Sequence, residues 1–131
     1  IMACAGLDKA KQMVGYSFLP LLRGELVDWR DHIFYEYYWE YEFPQTPTMH
    51  GIRTDRYKYI RYHGVWDTNE FYDLQNDPYE TTNLIAEPEY KEVIKQLNGR
   101  IYDWLESTDG MNIPLKRTVR PHTDHRNQGD Y

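Results

Sequence analysis

The chain has 131 residues, with 15 Lys and Arg against 21 Asp and Glu for a formal net charge of −6, and 16% aromatic residues that include 13 tyrosines. A chain of this length buries enough surface to fold as one domain. Its acidity excludes a general nucleic-acid binder, which needs a basic surface to displace phosphate counterions, and its aromatic content argues against a disordered chain. No stretch approaches the ~20 apolar residues of a membrane helix, and no basic-then-apolar leader stands at the start. Neither nucleic acid nor a membrane is therefore an expected partner. The lone Cys4 has no internal disulfide partner and says nothing of compartment.

In chain order, residues 1–7 (IMACAGL) read as the tail of a helix cut in its middle and stopped near Gly6, so a piece of a longer protein is expected. Residues 8–14 form a polar linker. An apolar block, Ser17 to Leu22, follows with Ser17 as N-cap and Gly24 as C-terminal stop, and reads as an anchoring turn packed into a core. Residues 32–43 (HIFYEYYWEYEF) have strand composition. Pro44 and Pro47 bracket a loop, since neither can donate to a ladder. Residues 49–54 make a second strand, Asp55-Arg56 a short turn, and residues 57–63 (YKYIRYH) a third strand with Tyr57, Tyr59 and Arg61 on one face. Residues 70–74 (EFYDL) make a fourth. Four short strands with brief links imply an antiparallel meander.

Asp77-Pro78-Tyr79-Glu80 has the signature of a helix start and predicts one short helical turn closing near Asn83. A longer helix is predicted after Pro88. Tyr90, Val93 or Ile94, Leu97, Ile101, Trp104 and Leu105 recur at three- and four-residue intervals as one apolar stripe. Gly99 in its interior costs about 1 kcal/mol relative to alanine, so packing must hold this helix. Gly110 and Pro114 end it, and a loose polar tail spans residues 111–131. The fold class is α+β: a four-stranded antiparallel sheet packed against a C-terminal amphipathic helix. Tyrosine suits this sheet, because its ring packs while its hydroxyl reaches water.

The chemistry-bearing motifs are few. Gly-rich phosphate loops, paired CxxC and HExxH are absent. His122 and His125 have a spacing that can ligate a metal on a helix, but the tail has no helical periodicity and supplies no third ligand. His32 and His63, at strand ends, read as surface imidazoles. His50 stands apart, directly after the Pro-bracketed loop and next to Gly51, which permits close backbone approach. Two readings stand for it. His50 and Arg53 can together receive an anionic or polyhydroxyl ligand; or Arg53 pairs with Asp55 or a strand glutamate while His50 lines the sheet edge.

Several segments in order resemble a known family: Val14 to Gly24 (VGYSFLPLLRG), Trp29-Arg30 leading into the aromatic strand, His50 to Ile60 (HGIRTDRYKYI), Phe71-Tyr72-Asp73-Leu74, and Asp77 to Leu84 (DPYETTNL). Their order and spacing resemble the C-terminal part of the sulfatases of the alkaline phosphatase superfamily, over about residues 1–107. The resemblance implies that residues 1–24 are a remnant of the preceding catalytic domain with its connecting segment, and that residues 25–110 are the sulfatase C-terminal α+β subdomain. In that family a cysteine or serine in a C-x-P-x-R pattern becomes the formylglycine nucleophile, beside a calcium ion. Here Gly6 and Asp8 stand where the proline and arginine would follow Cys4, so nucleophile, calcium and catalytic residues are expected upstream of this chain. The resemblance further implies a wall of the substrate cleft, with the upstream catalytic domain and a sulfated saccharide as partners. His50 and Arg53 are then the foremost contact candidates, followed by Glu36, Tyr38 and Trp39. His50 would donate to a sugar hydroxyl or sulfate oxygen, and Tyr38 or Trp39 would stack on a pyranose or pack in the core. A periplasmic, extracellular or lysosomal setting is implied by the resemblance alone. The alternatives are a stand-alone carbohydrate-binding module and a purely structural cap.

Overall fold

A computed structural model of the chain describes residues 2–113 apart from positions 12, 14, 41, 65 and 66. Two units are distinguished, residues 1–30 and residues 31–131. In the first, Met2–Ala5 is a single 3-10 turn rather than the expected α-helix tail; Gly6, at φ +68°, and the Leu7 N–H bond to Met2 O (3.1 Å) close it. The helix α1, Leu19–Leu22, begins at Phe18 instead of the expected cap Ser17, although Ser17 Oγ accepts from the Leu19 N–H at 3.3 Å. Its end matches the glycine stop. Gly24 is left-handed (φ +71°), and the N–H groups of Gly24 and Glu25 reach the carbonyls of Leu21 and Pro20, both at 3.0 Å. The expected core packing of this block is not found: none of the described residues in this unit is buried, and Leu22 is 71% exposed.

The second unit carries the sheet. Its strands are β1 (His32–Tyr37), β2 (Met49–Thr54), β3 (Tyr57–Tyr62) and β4 (Glu70–Asp73), antiparallel neighbours in chain order. β1 stops six residues short of the expected end at residue 43. Its partner explains the stop: Tyr37 pairs with Met49, and two residues before Met49 the chain is Pro47, which has no donor for a continuing ladder. The Trp39 N–H turns to the Thr48 hydroxyl instead (3.0 Å). At the β2–β3 hairpin, Thr54 Oγ1 accepts from the Tyr57 N–H (2.9 Å) and donates to the Tyr57 carbonyl (3.1 Å).

Asp77-Pro78-Tyr79-Glu80 forms a turn, not the expected helical one. The Glu80 N–H meets the Asp77 carbonyl (3.1 Å), but Glu80 then takes φ +56°, which no helix can continue. The Asp77 carboxylate still caps, accepting from the Thr82 N–H (2.9 Å) and the Thr81 hydroxyl (3.1 Å). A 3-10 turn at Pro88–Tyr90 leads into α2, Lys91–Ser107. Leu97, Ile101 and Leu105 are its buried residues, spaced by four. Its stop uses Asp109 in the left-handed conformation (φ +57°) and the Gly110 N–H on the Leu105 carbonyl (2.7 Å). The glycine expected to end the helix thus sits one residue past the strained position.

The register aligns one residue from each strand under α2: Phe34, Ile52, Tyr59 and Phe71. The last three form the core with Leu97, Ile101 and Leu105. Each such fully buried apolar side chain contributes about 1.5–3 kcal/mol. Phe34 stacks on Trp104 at 4.6 Å between ring centroids, and Phe71 packs against Tyr57 and Tyr90.

Candidate functional site

Two residues along from that core row, the same face of the sheet carries a polar row. Glu36 stands opposite His50, and His50 opposite Arg61. Strand parity dictates this, because residues separated by two share a face. His50 is fully buried. Its Nδ1 lies 2.9 Å from Nε2 of His63, and the rings of Tyr38 (5.6 Å) and Trp104 (6.3 Å) meet it at steep angles. The Tyr38 hydroxyl donates to Glu36 (3.0 Å). Arg61 donates to the Asn98 side-chain oxygen (3.2 Å) and lies over the Tyr102 ring. Among the described residues, two buried polar atoms in this cluster, His50 Nε2 and Arg61 Nε, have no hydrogen-bond partner.

Burial penalises charge on both imidazoles. It pushes His50 below its ordinary value against the pull of the Glu36 carboxylate, and it pushes His63 down to about 4, with His50 and the Arg61 cation adding to the effect. Near neutral pH the two rings are therefore uncharged, and one shared hydrogen occupies the 2.9 Å contact. Trp39 adjoins the cluster, its indole N–H donating to the Pro44 carbonyl (3.1 Å). Thr48, under the Trp39 backbone, is buried.

Glu36, Tyr38 and His50 are thus brought together, with Trp39 beside them. Arg53 is not. Three steps along a strand reverse the face, so Arg53 sits on the opposite side of the sheet between Ile33 and Lys58, exposed. Among the described residues it has no ion pair, to Asp55 or otherwise. His50 lies on an inner strand and not at an edge. His63, expected as a surface imidazole, belongs to the cluster. The signal was available: a two-residue turn at 55–56 sets residue 48 opposite residue 63, which brings His63 diagonal to His50 on one face. His32 is not a free surface ring either, since its Nδ1 lies against Asp31 and Arg100, with the Arg100 guanidinium also donating to the Asp31 carboxylate at 2.9 and 3.1 Å. The His122 and His125 pair lies outside the described residues.

Among the described residues, no group of three or more His, Cys, Asp or Glu is arranged to hold a metal ion, and no helix is long and apolar enough to cross a membrane.

The family model of N-sulphoglucosamine sulphohydrolase, C-terminal, matches residues 1–107. The chain is similar to an N-acetylglucosamine-6-O-sulfatase of Bacteroides thetaiotaomicron, at 35% identity over 93% of this chain and 22% of that protein. It is similar to a ulvan-active sulfatase of Formosa agariphila, at 29% identity over 81% of this chain and 27% of that protein. Among solved structures, BT4656 in complex with its substrate D-glucosamine-2-N,6-O-disulfate superposes with a TM-score of 0.73 at 28% identity, over 88% of this chain and 24% of that one. The chain spans about a quarter of the length of these relatives. The α+β sheet-and-helix unit and the match across residues 1–107 establish that the chain belongs to the N-sulphoglucosamine sulphohydrolase C-terminal family, the C-terminal domain of sulfatases of the alkaline phosphatase superfamily.

Proposed function

We propose that this chain is the C-terminal part of a longer sulfatase that hydrolyses sulfate esters of glycans, and that it shapes one wall of the substrate cleft without supplying the nucleophile. The observation that carries this reading is the family match over residues 1–107, supported by relatives whose names are those of sulfatases acting on an amino sugar and on ulvan. The formylglycine nucleophile and the calcium ion are assigned to an upstream catalytic domain in the same polypeptide, as is the leaving-group chemistry. Residues 1–24 are then the end of that domain and its connection, and residues 25–110 the C-terminal subdomain.

Within the cleft wall, Tyr38 and Trp39 offer ring faces for a pyranose and Glu36 a carboxylate for sugar hydroxyls. His50, fully buried behind them, supports the Tyr38 ring edge-on at 5.6 Å. Arg53 faces away from this group and acts, in this reading, only through the other side of the sheet. Glu36→Gln, Tyr38→Phe, Trp39→Ala and His50→Ala in the full-length enzyme test the assignment. Loss of one buried hydrogen bond or stacking contact predicts a fall of about tenfold in kcat/KM, or about 1.4 kcal/mol, on at least one sulfated saccharide of a panel. Unchanged kcat/KM in all four variants refutes the cleft role. Release of sulfate by residues 1–131 alone refutes the placement of the chemistry upstream. Glycan binding by that chain without hydrolysis would favour a carbohydrate-binding module instead.

A further inference from the structure

Two imidazoles facing each other across 2.9 Å, one of them fully buried, form a contact whose existence depends on proton count. With both rings neutral, one N–H donates to one lone pair. With one proton added, the hydrogen bond survives but a cation is buried beside Arg61. With two, both nitrogens carry hydrogens, the bond is lost and like charges repel. The two steps belong to the pair rather than to either ring.

The pair also sits where its loss would be felt. His50 is on β2; His63 follows β3, and its backbone N–H donates to the Thr48 carbonyl at 2.9 Å. Thr48 in turn receives the Trp39 N–H. The chain on either side of this point, residues 38–48 and 63–69, has no strand pairing of its own among the described residues. His63 is partly exposed, while His50 is sealed under Tyr38 and Trp104. His63 is thus the ring with a route to water.

We propose that the His50–His63 pair is an acid-sensitive latch, closing the loop end of the sheet while both rings are neutral and releasing His63 to solvent when the pair is protonated. The charged and titratable groups facing it are Glu36 on β1, Tyr38 beyond β1, Arg61 on β3, and Tyr102 on α2 under the Arg61 guanidinium. The Glu36 carboxylate favours protonation of His50; Arg61 opposes it on His63. A freed imidazole titrates near 6.5 and the latched His63 at about 4, so the latch is fully closed above pH 6.5 and is lost as pH falls toward 4.

Amide hydrogen exchange of the 131-residue chain, corrected for intrinsic rates, reads the latch at the His63 N–H, with the Phe71 N–H as internal reference. Protection at His63 is expected to fall by about tenfold or more relative to Phe71 between pH 6.5 and pH 4.5. His63→Gln keeps a donor able to reach His50 but does not titrate in this range, and is expected to abolish that pH dependence; Glu36→Gln is expected to move the release to lower pH. A pH-independent ratio in the native chain overturns the latch, as does an equal fall in His63→Gln. Should His63→Gln not fold, titration of the His50 and His63 ring Cε1–H resonances in the native chain decides: two depressed, coupled midpoints support the latch, and two independent midpoints near 6.5 overturn it.

Discussion

Replacing Asp73 with Asn changes no side-chain shape and removes one charge at a buried crossing point of the second unit. Asp73, at the end of β4, is 1% exposed. It accepts from Arg56 Nε (3.2 and 3.3 Å) and Arg56 Nη2 (2.8 Å), from the Gln75 N–H (3.2 Å) and from the Asn76 amide (2.9 Å). The Arg56 bonds, with those of Gln75 and Asn76, hold its carboxyl below the ordinary range against the opposing cost of burial. Breaking a fully buried ion pair costs about 3–5 kcal/mol, but the Arg56 side chain is 48% exposed and water recovers part of its solvation. The remaining loss is about 2–3 kcal/mol, made up of charge-assisted bonds that an amide oxygen replaces only in part. The depressed carboxyl stabilises the fold above pH 3.8, and this contribution fades as pH falls through its lower folded value. Urea unfolding of the native chain and Asp73→Asn at pH 7 should therefore differ by about 2–3 kcal/mol with equal m-values, and the difference should shrink below pH 4. A difference under about 0.5 kcal/mol at pH 7, or one that does not change with acid, would show that these bonds merely replace bonds to water.

Other substitutions probe the remaining contacts. Gly99 lies inside α2 with nothing within 4 Å of an added Cβ, so Gly99→Ala should raise stability by up to about 1 kcal/mol in the same assay. Ile101 is completely buried in the core, and Ile101→Ala should cost about 2–5 kcal/mol, read as a lower urea midpoint. The Tyr62 and Tyr72 hydroxyls both donate to Glu70 at 2.9 Å; burial first and then this carboxylate push both phenols up to about 12. Their protonated forms stabilise the fold below pH 10, and that contribution is lost as pH rises toward 12. Absorbance titration at alkaline pH should show two late-ionising tyrosines, and Glu70→Gln should bring them earlier without restoring ordinary values.

The arrangement of four strands and one helix was legible because each element carries its own period. Short strand-forming runs between residues 49 and 74 are separated by turn residues, and Leu97, Ile101 and Leu105 recur every four residues, so both kinds of element are specified locally. Where the reading failed, a partner decided. β1 has strand composition through residue 43, but a strand lasts only as long as its neighbour can pair, and Pro47 ends the neighbour. The Asp77 turn has every helix-start residue, yet Glu80 takes a left-handed conformation and its carboxylate meets Lys58 across the sheet. These are interactions between distant residues, invisible to any local window.

The tyrosines and the histidines divide in the same way. Sequence alone determined that a small acidic chain rich in tyrosine would form an α+β sheet-and-helix unit, and it carried the motifs by which the sulfatase family is recognised. Strand parity alone would have separated His50 from Arg53. A two-residue turn placed His63 diagonal to His50, but only the tertiary structure set their rings 2.9 Å apart, aligned Glu36 and Arg61 on either side of His50, and packed Trp104 against His50. The physical reason is register. Composition specifies which residues form strands, but hydrogen-bonded pairing between strands decides which side chains meet, and here it brought two titratable rings into one part-buried contact.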